Sequence, residues 1–127
     1  MADDERPNRL EVARRHLQRV LAAWDEPTDW DDLSLYGFYC LEAAIMAASD
    51  FLGWDTKAQH TDKARAARRL HDERGLPDVE DLLGEMNQAR KATAYGDMEI
   101  PELHAEDVAS EIEAFVEAVA HLIEARE

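Results

Sequence analysis

The sequence predicts an all-α fold, a bundle of four to five antiparallel helices. Three observations carry that expectation. Apolar residues recur at spacings of three and four in five separate segments, no useful stretch alternates with period two, and helix-stopping and helix-capping residues fall between the segments. At 127 residues the chain is expected to form one domain, 1–127, that buries about two-thirds of its unfolded surface.

The first helix is expected over about 7–25, with Leu10, Ala13, Leu17, Val20, Leu21 and Trp24 on one face. "EPTDW" ends it, and Thr28 or Asp29 can cap the next. The second, about 30–53, is apolar almost all the way round, from Tyr36, Phe38 and Tyr39 to Ile45, Phe51 and Leu52. A helix of that kind belongs at the centre of a bundle or between two subunits. Gly53 closes it, and Thr56 with Gln59 makes a capping box for a third helix over about 57–74. "RGLPD" then supplies Gly75 as a stop and Asp78 as a cap. The fourth helix, about 79–95, carries Val79, Leu82, Leu83, Met86 and Ala89, and Gly96 ends it. The fifth, about 104–125, bears Val108, Ile112, Phe115, Val119 and Leu122, spaced as in helices packed nearly antiparallel. Short connections make sequential helices antiparallel neighbours.

Composition narrows the function classes. The chain is 46% hydrophobic with few Gly and Pro, so it is not a disordered sequence. A lone Cys40, lying in the apolar second helix as inert core, excludes an internal disulfide and fits a reducing, cytoplasmic setting. The charged start "MADDERPNR" lacks the apolar region of a signal peptide, and no uninterrupted run reaches the ~18 apolar residues of a membrane span. No membrane partner is expected.

The net charge of −15 disfavours indiscriminate binding of nucleic acid. Residues 25–55 carry eight acids and no base, whereas 57–74 carry six bases against three acids. A phosphate-bearing partner would approach by that basic segment or by Arg90 and Lys91. The other reading is that these bases pair with acidic segments of the same chain or of a partner protein.

The stretch "NQARKATAYGD", 87–97, holds the candidate site. Arg90 follows Met86 by four residues and Leu83 by seven, which places it on or beside the apolar stripe. An arginine there needs a carboxylate, solvent or another subunit. Glu42, the one charge within the apolar part of the second helix, is the expected partner if the role is structural. If the role is functional, the planar guanidinium holds a phosphate, with Asn87 and Lys91 beside it as nucleotide or RNA contacts. Tyr95, five residues on, is about 140° away around a straight helix, so it would meet Arg90 only in a frayed last turn or across a twofold axis.

Elsewhere the chemistry is sparse. The five histidines show no metal-ligand spacing, and there is no Glu-x-x-His pair, Gly-rich phosphate loop or nucleophile elbow. No metal or cofactor is expected. His60 reads as a cap or pocket residue, and His121, four after Glu117, as part of a solvated acidic face.

Taken together, "SLYGFYCLEAAIMAASDFLG", "AQHTDKARAARRL", "LLGEMNQARKATAYGD" and the acidic last helix resemble a HEPN domain over about 30–125. The resemblance implies a bundle of four or five helices that dimerises, with the Arg motifs of two subunits meeting in a cleft. It implies either of two roles. One is a module of a toxin–antitoxin or defence pair with a nucleotidyltransferase partner, which modifies a tyrosine near the motif, here Tyr95. The other is a metal-independent ribonuclease, with Arg90, Tyr95 and Glu42 as catalytic candidates. A third reading, from charge, is a non-catalytic acidic interaction protein.

The family's nuclease motif is Arg-x4-6-His, and here Tyr95 stands at the histidine position; His104, the nearest downstream, is fourteen residues from Arg90. A histidine with pKa near 6.5 can take a proton from a ribose 2′-hydroxyl, whereas a tyrosine at about 10 is ionised roughly once in a thousand at pH 7. Tyr95 can instead donate a proton, stack on a base or accept a nucleotide. The substitution favours the binding module over the nuclease.

Overall fold

The computed structural model describes residues 8–25, 27–54, 60–95 and 103–124, with the side chains of 60, 61 and 93–95 outside that description. It contains α1 (Arg9–Ala23), α2 (Trp30–Leu52), α3 (His60–Arg74), α4 (Glu80–Tyr95) and α5 (Ala105–Glu124), and no strand among the described residues. The all-helical bundle expected from periodicity is the fold observed.

The ends of the helices follow from local chemistry. Asn8 caps α1 by accepting hydrogen bonds from the backbone amides of Leu10 and Glu11. Asp29 caps α2 by accepting from the Asp32 amide, while Thr28 turns back and donates to the Trp24 carbonyl. Of the two residues the sequence offered as that cap, Asp29 does the work. Gly53 ends α2 at φ 76°; its amide donates to the Asp50 carbonyl, and that of Trp54 donates to the Ser49 carbonyl. Gly75 ends α3 at φ 71°, with its amide on the His71 carbonyl. Asp78 accepts from the Glu80 amide at the start of α4. The Thr56–Gln59 capping box and Gly96 lie outside the described residues.

Helix α2 packs against each of the other four helices. Its length and apolarity alone would suffice to cross a membrane, which counting uninterrupted apolar runs overlooked. Yet 56% of its apolar 18-residue stretch is buried inside the bundle, where Leu33, Leu41, Ala44, Ile45 and Ala48 are sealed. Its apolarity therefore serves the core. Gly37 allows the closest approach: a Cβ there would lie 3.1 Å from both Met86 Sδ on α4 and Ile112 Cδ1 on α5. Around α2, one buried cluster gathers Ile112, Phe115 and Val119 of α5, Leu83 and Met86 of α4, and Leu10, Ala13 and Val20 of α1. Cys40 is inert in this setting. Its thiol donates to the Ala13 carbonyl at 3.2 Å, and burial pushes its pKa up to about 12.

Candidate functional site

Arg90 emerges from the end of the α4 stripe, one turn beyond Met86, where the core gives way to the surface beside α2. Its side chain is half-buried. The guanidinium carbon sits 4.8 Å from the centre of the buried Phe38 ring, a cation–π contact from α2 to α4. One Nη donates to Asn87 Oδ1 at 2.7 Å, a turn earlier on the same helix. The Nε atom is closed off from solvent and has no hydrogen-bond partner. Among the described residues no carboxylate pairs with Arg90.

The expected structural partner is engaged elsewhere. Glu42 accepts from Lys63 Nζ at 3.1 Å, with the two side chains only 17% and 14% exposed, so the pair clamps α2 to α3. The Arg90–Glu42 ion pair read from the sequence is therefore corrected. Glu42 lies one turn after Phe38 on α2, yet it is turned toward α3, and Phe38 rather than Glu42 meets Arg90. That placement also removes Glu42 from direct contact with the guanidinium.

The remaining predicted residues divide clearly. Asn87 joins Arg90 directly, and Lys91 follows it, half-buried, on the same turn. Tyr95 is the last residue of α4, and its side chain lies outside the described residues. So does that of His60. His104 sits exposed just ahead of α5, its carbonyl accepting from the Val108 amide. His121 is exposed near the end of α5, as a solvated acidic face requires. No group of three or more metal-ligating side chains occurs among the described residues.

Sequence reasoning passed over a second feature beside Arg90. His16 of α1 lies with its ring centroid 5.9 Å from that of Tyr36 and 5.8 Å from that of Tyr39, both on α2. Tyr39 in turn lies 5.9 Å from Phe38, and Arg19 caps the far end 5.2 Å over Tyr36. His16 follows Ala13 by three residues and precedes Val20 by four, so its place at the edge of the α1 stripe was available as a signal. Burial, and then the charge of Arg15, lower its pKa below the ordinary 6.5, which favours the neutral imidazole.

The geometry defines the class of protein: a helical bundle that presents an arginine held by an aromatic ring and an amide, with no carboxylate paired to it among the described residues. No protein-family model, curated protein or solved structure matches the chain.

Proposed function

We propose that the chain is a HEPN-type dimeric module that binds nucleotide or RNA phosphate at paired Arg90 sites. In this reading it serves a toxin–antitoxin or defence pair, with a nucleotidyltransferase as partner. The observation that supports the reading most is the state of Arg90. Its charge is half-buried and lacks a carboxylate among the described residues, and its Nε has no acceptor. Burying an unsatisfied donor costs about 1–3 kcal/mol, more when the group is charged. A site kept at that cost is suited to an anion that brings acceptors with it, and phosphate oxygens match the guanidinium fork.

Stacking on Phe38 and the Asn87 hydrogen bond hold the guanidinium in place before a ligand arrives, which lowers the ordering cost of binding. The twofold arrangement brings a second positive charge to the same phosphate. It also offers Tyr95 a place opposite the other copy's Arg90, as nucleotide contact or modification acceptor.

Titration calorimetry with uridine monophosphate tests the reading, alongside sedimentation to establish the dimer. Wild type is expected to bind, Arg90→Lys to bind about tenfold more weakly, and Arg90→Ala not to bind measurably, with all three folded. Equal affinity in all three proteins would refute the reading, as would a monomer at micromolar concentration.

A further inference from the structure

The aromatic contacts next to Arg90 form one continuous path. Arg19 lies over Tyr36, Tyr36 and Tyr39 flank His16, Tyr39 meets Phe38, and Phe38 carries Arg90, each step between 4.8 and 5.9 Å. The path crosses from α1 over α2 to α4. Tyr39, 40% exposed, is the large hydrophobic side chain left open to solvent among the described residues, and His16 and Tyr36 beside it are half-buried. Its cations come from both ends: Arg19, with exposed Arg15 four residues before it on α1, and Arg90 on α4. Although the chain carries −15 overall, α1 holds Arg9, Arg14, Arg15 and Arg19 against Glu11. Arg9 and Arg14 are engaged with Asp50 and Glu124.

We propose that this path is a binding track for single-stranded nucleic acid, leading its backbone to Arg90. The proposal rests on the phosphate reading of Arg90 and extends it from a single phosphate to a strand. The open Tyr39 ring, with half-buried His16 and Tyr36 beside it and arginines at either end, suits a strand: bases stack on the open π faces, and phosphates meet the flanking guanidinium groups. Duplex is excluded from the same chemistry, because its bases already stack on one another. Charge selects the occupant: Arg15, Arg19 and Arg90 lie along the path, and a polyanion neutralises them.

The net charge of −15 and the pairing of Arg68 and Arg69 with acids keep the number of engaged phosphates small. With Arg15, Arg19 and Arg90 each meeting one phosphate, the logarithm of affinity should fall against that of salt with a slope of about −2, at about 0.7 per phosphate for single strands. Removing one stacking ring should weaken binding by about tenfold, within the range that alanine substitution gives for a stacked base.

The test uses the full chain, fluorescence anisotropy with a labelled twelve-nucleotide oligouridylate, and calorimetry with uridine monophosphate. Tyr39→Ala and Arg19→Gln are expected to weaken the oligonucleotide about tenfold each while leaving the mononucleotide unchanged. Arg90→Ala is expected to weaken both. A hairpin duplex of the same length should compete poorly. If the mononucleotide binds and Tyr39→Ala leaves oligonucleotide affinity unaltered, the track is wrong and the Arg90 reading stands. If the oligonucleotide does not bind at all, the track is wrong, and the mononucleotide then decides the Arg90 reading separately. If Tyr39→Ala instead converts a dimer to monomer with oligonucleotide affinity per chain unchanged, the path is an interface between copies and the proposal is overturned. Circular dichroism confirms folding of each variant, and Tyr39→Phe, which keeps the ring, should restore oligonucleotide binding.

Discussion

Replacing Glu42 examines the assignment on which the Arg90 reading depends. Its carboxylate is 3.1 Å from Lys63 Nζ, where two unit charges attract by about 5 kcal/mol at an effective dielectric near 20 and by about 1 kcal/mol in bulk water. Both side chains are mostly withdrawn from solvent, so desolvation offsets much of the larger figure. A net coupling of about 1–3 kcal/mol remains. Glu42→Gln or Lys63→Met alone should destabilise by about 2–4 kcal/mol, between the small loss of an exposed pair and the 3–5 kcal/mol of a buried one. The double variant should lose less than the two losses added together. Urea unfolding followed by circular dichroism on the four proteins yields the coupling directly. The same cycle between Glu42→Gln and Arg90→Met should give less than about 0.5 kcal/mol, as for residues without a shared partner. A coupling above about 1 kcal/mol to Arg90, with little to Lys63, would refute the assignment and supply Arg90 with the carboxylate it is argued to lack.

Two further outcomes follow from the core. Gly37→Ala should destabilise by about 1–2 kcal/mol in urea unfolding, because overpacking against the buried Met86 and Ile112 outweighs the roughly 1 kcal/mol helix-propensity gain; adding Met86→Ala should relieve part of the loss. Cys40 should resist thiol reagents in the folded protein and react once it unfolds. With its folded pKa raised from 9.0 to about 12, the folded state holds the proton that the unfolded state releases between those values. The associated stability is intact below about pH 9 and falls by up to ~1.4 kcal/mol per pH unit above it. Chemical unfolding at pH 8, 9 and 10 should show that alkaline slope in wild type and a shallower one in Cys40→Ala.

Much of the fold was legible because its determinants are local. Gly53 and Gly75 marked helix ends since both end motifs need a left-handed residue, and both occupy that region. The stripes of α4 and α5 were legible because burial repeats with the helical period, so Arg90 could be placed at the edge of the core from Leu83 and Met86 alone. What spacing along one helix does not contain is the rotation of that helix against its neighbours. Glu42 and Phe38 are one turn apart, yet one meets α3 and the other α4, and that decided which of them touches Arg90. The same gap hid the ring path, whose members come from α1, α2 and α4. Charge counted by segment singled out 57–74 as the basic stretch and passed over α1, although Arg68 and Arg69 of α3 are engaged by acids of their own neighbourhood.

Binding of uridine monophosphate to wild type and to Arg90→Ala, measured by calorimetry beside melting curves of both proteins, tests the central claim most directly. Wild type should bind, Arg90→Ala should lose measurable binding, and the melting temperature should be unchanged or raised, since an unsatisfied buried donor is removed. A variant that melts several degrees lower while wild type shows no affinity for the mononucleotide would contradict it, and would make Arg90 a packing residue of the α2–α4 contact.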